Sequence, residues 1–206
     1  MIKAVLFDMD GVLIDAKDWH FHALNDALSL FGFEISRTEH LSAYDGLPTK
    51  KKLEILSQTQ GLPRPLHDFI NRLKQRRTHE ITIQSCRPMF HHQYALARLK
   101  REGMKIAVCS NSIRSTIQVM MQNAALLEYL DFFLSNEDTS APKPDPEIYV
   151  KAIAQCGVQP HEVLIVEDNH HGIQAARASG GNVLEVATVY DVTYDRIAAA
   201  IRKAEG

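Results

Sequence analysis

Cysteine is scarce in this chain: Cys86, Cys109 and Cys156 are its three among 206 residues. They lie far apart and match no metal or thiol-redox spacing, so they read as free thiols in a reducing compartment. Charge of either sign is not in excess. With 23 basic and 25 acidic residues, the formal net charge is −2. No global basic field exists to collect nucleic acid, and no acidic block forms a solvating tail. Long apolar runs are missing too. The opening run, Ile2 to Phe7, meets Asp8 and Asp10, which leaves it too short for a membrane span or a secretory signal. These absences predict a cytoplasmic protein with neither a membrane nor a nucleic-acid partner. What is present, 45% apolar residues, supports a sizeable core, in one large domain or in a core carrying a smaller insert.

Ala4–Val5–Leu6–Phe7 has the form of a buried parallel strand, and similar runs recur at 105–109, 132–134, 163–166 and 183–186. Helical patterns lie between most of them. They cover about 89–102 before Gly103, 113–127, a stretch opened by Asp145–Pro146 and closed by Gly157, and 170–179 before Gly180. A last amphipathic helix over 191–204 is expected to start on Asp191 as its cap and to bury Ile197, Ala200 and Ile201. Strands alternating with helices predict an α/β fold, a doubly wound parallel sheet. The stretch 16–85 breaks that rhythm with almost purely helical signal. One helix spans 19–31, a second is capped by Thr49 and runs to Gln60, and a third opens at Pro65 and reaches about Arg77. This block separates the first strand from the second. The expected division is a catalytic core of 1–15 with 86–206 and an inserted helical domain of 16–85.

The polar residues sit in a telling place. Asp8 and Asp10 follow the first core strand, Ser110–Asn111 the second, Lys143 the third and Glu167–Asp168 the fourth. Ligands of an open parallel sheet bind outside the carboxyl ends of its strands, so these segments can share one crevice. Four carboxylates together repel, and a bound Mg²⁺ removes that penalty with a few oxygen ligands beside its waters. Lys143 supplies a point charge for a phosphate oxygen or for Asp8. Ser110 and Asn111 offer donors to phosphate, and Gly11 lets the chain turn closely beneath a ligand. Carboxylates, one metal, one lysine and hydroxyl donors make a phosphoryl-transfer kit.

At this point the motifs resemble a family. Asp8–Met9–Asp10–Gly11–Val12–Leu13, Cys109–Ser110–Asn111, Lys143 in Lys–Pro–Asp–Pro–Glu–Ile–Tyr, and Glu167–Asp168 followed by Gly172–Ile173 and Ala175–Ala176 stand in order along the chain. Together they resemble the four motifs of the haloacid dehalogenase superfamily. The resemblance implies that Asp8 is the nucleophile that becomes phosphorylated, and that Asp10 protonates the leaving oxygen and then activates water. It implies Mg²⁺ on the Asp8 side chain, the Asp10 backbone carbonyl and Asp168, with Glu167 beside it. Ser110, Asn111 and Lys143 would bind phosphate. The expected substrate is a small phosphate monoester, and the expected enzyme is a monomer.

A helical insert between the first and second motifs is, in that family, a cap that closes over the crevice. The chain most resembles the subgroup of beta-phosphoglucomutase and the sugar-phosphate phosphatases. His20 stands where the mutase has a histidine linked to cap movement, and the segment Asp45 to Thr49 stands where cap residues approach substrate. Thr49 replaces an arginine that grips a second phosphate, which favours a phosphatase over a mutase. Arg76 or Arg77 is expected in place of the family's cap lysine. Lys50 is a candidate contact to a substrate anion, although Lys50–Lys52 also reads as a solvated helix start. A mutase, and a non-catalytic phosphoacceptor of the receiver type, stand as the competing readings. The pairs His91–His92 and His170–His171 read as surface, because adjacent helix positions face different ways. Met120–Met121 reads as core filling.

Overall fold

The computed structural model describes residues 1–44 and 46–206. Asp45, one of the expected cap residues, lies outside the described residues. The chain forms two compact units, Met1–Asp15 with Arg87–Gly206, and Ala16–Cys86. In chain order, β1 (Ala4–Phe7) is followed by the helices of the second unit, α1 (Lys17–Ser29), α2 (Arg37–Glu39), α3 (Thr49–Thr59) and α4 (His67–Ser85). The first unit continues with α5 (Phe90–Arg101), β2 (Lys105–Cys109), α6 (Arg114–Asn123), β3 (Phe132–Leu134), α7 (Glu147–Cys156), β4 (Val163–Glu167), α8 (His170–Ala178), β5 (Asn182–Glu185) and α9 (Tyr194–Glu205).

The five strands are all parallel, in the order β3-β2-β1-β4-β5. β1 is therefore central, and the direction of winding reverses beside it. Its residues are buried on both faces, as a strand covered by helices on each side must be. Ala4, Leu6, Ala107, Cys109, Val163 and Ile165 pack against Ile148, Tyr149, Ala152 and Ile153 of α7 and against Ala175 and Ala176 of α8. The alternate residues Val5, Phe7, Ile106, Val108, Leu164 and Val166 point to the opposite face, where α5 packs on β2. The ladder runs past the strand ends. Asp8 N–H donates to the Val166 carbonyl at 3.0 Å, and Ser110 N–H to that of Leu134 at 3.0 Å. Backbone pairing thus holds the first polar residue after β1 and after β2 in register.

The second unit is helical. Leu24, Ala27 and Leu28 of α1, Leu53 and Leu56 of α3 and Ile70 of α4 make its core with Ile35, Tyr44 and Leu62. Asn25 closes the turn after α1, donating to the Ile35 carbonyl and accepting from the Ile35 N–H, both at 2.8 Å.

Several local expectations are corrected. Thr49 is the first helical residue of α3, and Pro48 stands at its cap position. Helix α4 continues past Arg77 to Ser85, because Thr78 and Thr82 are buried and Thr82 Oγ1 satisfies itself on the Thr78 carbonyl at 2.8 Å. Helix α6 stops at Asn123, and Ala125, with φ of 52°, reverses the chain. Thr193 caps α9, whereas Asp191 caps the preceding 3-10 turn with Thr188. Ile197 and Ile201 are buried as expected, while Ala200 is only half-buried. His92 is fully buried, against the surface expectation. The rings of His91 and His92 both reach the Val189 carbonyl, at 3.2 and 2.8 Å.

Candidate active site

The loop after β1 is tight. The Met9 carbonyl accepts from Leu13 N–H at 3.0 Å and Ile14 N–H at 2.9 Å, and Gly11 N–H donates to the Ile14 carbonyl at 2.7 Å. Gly11 has φ of 90°, a conformation that excludes ordinary side chains. This turn places Asp8 and Asp10 at the carboxyl edge of the sheet.

Asp8 is almost fully buried, and its Oδ1 accepts from Lys143 Nζ at 2.7 Å. Burial holds its carboxyl well above the usual carboxylate range, opposed by Lys143 and reinforced by Glu167, Asp168 and Asp10. Lys143 is itself buried, and Nζ also lies 2.7 Å from Glu167 Oε1, 2.8 Å from the Cys109 carbonyl and 2.8 Å from the Tyr149 hydroxyl. Burial disfavours its ammonium, but the charges of Asp8 and Glu167 more than offset this and raise its pKa. Lys143 is therefore a fixed cation. Its backbone N–H donates to Asn111 Oδ1 at 3.1 Å, so the Asn111 side-chain oxygen holds the lysine loop.

Asp10 has a holder that sequence reading passed over. Ser112 Oγ donates to Asp10 Oδ2 at 3.1 Å, and Ser112 N–H donates to Ser110 Oγ at 3.1 Å. The Ser112 carbonyl accepts from Asn136 N–H at 3.1 Å. Its position two residues after Ser110, past the end of a strand, was the available signal.

Glu167 ends β4 and is buried. Its Oε1 accepts from Lys143 and, at 2.5 Å, from the Tyr149 hydroxyl, while Oε2 accepts from Asp168 N–H at 3.2 Å. Burial, with Glu167 and Asp8 nearby, holds the Tyr149 phenol far above its usual range, so it stays protonated. Glu167 is thus engaged in seating Lys143. Tyr149 was legible only as the last residue of the Lys–Pro–Asp–Pro–Glu–Ile–Tyr run. Gly172 makes room for Glu167, since a Cβ there would lie 1.9 Å from Glu167 Oε1.

Asp8, Glu167 and Asp168 each offer a carboxylate oxygen, all within 4.8 Å of one another. An all-oxygen set with several negative charges and one ammonium fits a hard divalent cation such as Mg²⁺. The cysteines do not join this chemistry. Burial raises the Cys109 thiol, and it pushes Cys156 up to about 11.

In the helical unit, His20 Nδ1 lies 3.1 Å from Lys74 Nζ. The lysine beside His20 is therefore Lys74. Arg77 is instead paired with Asp26 and Glu80, and Arg76 with Glu80. Lys50 is exposed, whereas Lys52 is buried, which corrects the reading of 50–52 as a uniformly solvated run.

A central parallel strand leading into Asp8–Met9–Asp10, with Lys143 and Glu167 converging on them, defines a hydrolase of the haloacid dehalogenase type. Residues 5–186 match the family model described as haloacid dehalogenase-like hydrolase, and the chain belongs to that family. It is 30% identical over 209 residues to a haloacid dehalogenase-like hydrolase domain-containing protein of Arabidopsis thaliana. That match takes in 87% of this chain and 66% of the plant protein, just under two thirds of its length. A phosphorylated carbohydrates phosphatase of Thermotoga maritima is 26% identical over 179 residues, covering 87% of this chain and 82% of its own. The beta-phosphoglucomutase of Clostridium difficile shares the fold, with a TM-score of 0.85, 19% identity and 98% of each chain covered. No helix among the described residues is long and apolar enough to cross a membrane.

Proposed function

We propose that this chain is a Mg²⁺-dependent cytoplasmic phosphatase that hydrolyses a small phosphate monoester, a sugar or polyol phosphate, through an aspartyl-phosphate on Asp8. One observation carries the reading: the buried Asp8 carboxylate is held 2.7 Å from a fixed lysine, two residues from a second aspartate that Ser112 orients. Asp8 and Asp168 would hold Mg²⁺, with the Asp10 backbone carbonyl by family resemblance and Glu167 alongside. When bound, the ion supplies neutralisation of the carboxylates and of the phosphoryl oxygens.

The residues then divide the work. An Asp8 oxygen bonds to phosphorus as the ester P–O bond breaks, and Asp10 protonates the departing oxygen. Asp10 next takes a proton from water, whose oxygen bonds to phosphorus as the Asp8–phosphorus bond breaks. Phosphate leaves and the Asp8 carboxylate is restored. Lys143 faces the charge that accumulates on the phosphoryl oxygens, with the Ser110 hydroxyl and Asn111 as further donors. We read the helical unit as a cap, with His20, Lys74 and Lys50 as its substrate contacts. Threonine at 49 lacks the guanidinium a bisphosphate would need, which supports hydrolysis over mutase chemistry. The enzyme is read as a monomer that needs no nucleic acid or membrane.

The test is turnover of 4-nitrophenyl phosphate by the purified chain with Mg²⁺, followed by a screen of phosphorylated metabolites. Sustained phosphate release is expected, abolished by EDTA, restored by excess Mg²⁺, and absent in Asp8→Asn. A single phosphorylation without turnover would mean a receiver-type phosphoacceptor. A product that keeps its phosphate would mean a mutase.

A further inference from the structure

The ammonium of Lys143 has three N–H donors, yet four oxygens surround it at 2.7 to 2.8 Å: Asp8 Oδ1, the Cys109 carbonyl, the Tyr149 hydroxyl and Glu167 Oε1. The phenol proton of Tyr149 has one acceptor among these neighbours. An ammonium accepts nothing, so the O–H points at Glu167 Oε1, 2.5 Å away. Glu167 Oε1 therefore receives two donors, and the phenol takes up part of its negative charge.

We propose that Tyr149 is a positioning residue that sets how the Lys143 charge is divided between Glu167 and Asp8. With the phenol bound, Glu167 competes less strongly for the ammonium, which keeps its place against Asp8. The phenol oxygen is also the weakest acceptor around Nζ. It can release its share of an N–H to an arriving phosphoryl oxygen while its own proton stays on Glu167. The Tyr149 ring centroid lies 4.7 Å from Nζ, so the ring steadies the cation independently of the hydroxyl.

The inference rests on the phosphatase reading, and the test separates the two. Tyr149→Phe keeps the ring and removes one oxygen. On 4-nitrophenyl phosphate, kcat is expected to fall about tenfold with KM changed less than about twofold, the scale of one charge-assisted hydrogen bond. In a Glu167→Gln background the same substitution should lower kcat less than about twofold, because the charge that the phenol moderates is gone. A crystal structure of Tyr149→Phe should show Lys143 Nζ drawn toward Glu167 and away from Asp8. Equal losses in both backgrounds, or an unmoved Nζ, would overturn the proposal. If the parent turns over no phosphate ester, the phosphatase reading fails, and the position of Nζ alone decides the role of Tyr149.

Discussion

A methyl group at position 172 would stand 1.9 Å from Glu167 Oε1, an oxygen already committed to Lys143 and Tyr149. Alanine normally gains about 1 kcal/mol over glycine inside a helix. Overpacking costs about 1–3 kcal/mol, and displacing hydrogen bonds to charged groups a further ~1.5–3 kcal/mol each, so the clash wins. Gly172→Ala is expected to lower stability in urea by about 3 kcal/mol or more and kcat by at least about 100-fold. A variant with parental kcat would show that the seat of Glu167 is dispensable. At this scale the sequence named Asp8, Lys143, Glu167 and Asp168 as groups following strands, and the fold brings them together. Ser112 and Tyr149 escaped notice for a physical reason. Their part depends on where one hydroxyl proton points, and that depends on the partner across the fold.

Between residue and whole molecule, helix α8 shows how an element serves the site. It starts directly after Asp168, and the Asn169 side chain accepts from His171 N–H at 3.0 Å. Removing that cap in Asn169→Ala should cost about 1 kcal/mol, and Asn169→Ser should restore most of it. The Ala variant should also bind Mg²⁺ more weakly in calorimetry, since the cap fixes the residue next to Asp168; unchanged affinity would uncouple the helix start from the metal site. Element positions were readable where composition is decisive. The spans 105–109 and 132–134 agree with β2 and β3 residue for residue, because short apolar runs between turn residues admit little sliding. Helix ends were less readable. Thr49 and Asp191 are good caps by residue type, but Pro48 and Thr193 hold those places, and α4 extends because Thr78 and Thr82 find burial that their polarity does not announce.

Across the whole molecule, His92 links the fold to pH. Carbonyl oxygens only accept, so His92 Nε2 carries the proton given to Val189, and Nδ1 is buried with no hydrogen-bond partner. Burial, followed by the charge of His91, lowers the His92 pKa from 6.5 to about 4 despite that hydrogen bond. The unfolded chain takes up the proton first. The stabilisation is therefore full above the unfolded value of about 6.5 and is lost as pH falls through about 4. Between pH 7 and pH 5 the chain should lose about 2 kcal/mol more in urea unfolding than His92→Gln does. Parallel losses would place the acid sensitivity elsewhere. The sequence by itself determined the alternation of strand and helix, the α/β class and the clustering of polar residues after strands. Those follow from periodicity and turn chemistry, which act within a few neighbouring residues. Tertiary structure alone decided that His92 lies inside, that Lys74 stands by His20, and that Glu167 is shared between Lys143 and Tyr149. Burial and hydrogen-bond pairing join segments far apart in the chain, and no local pattern encodes which partner arrives.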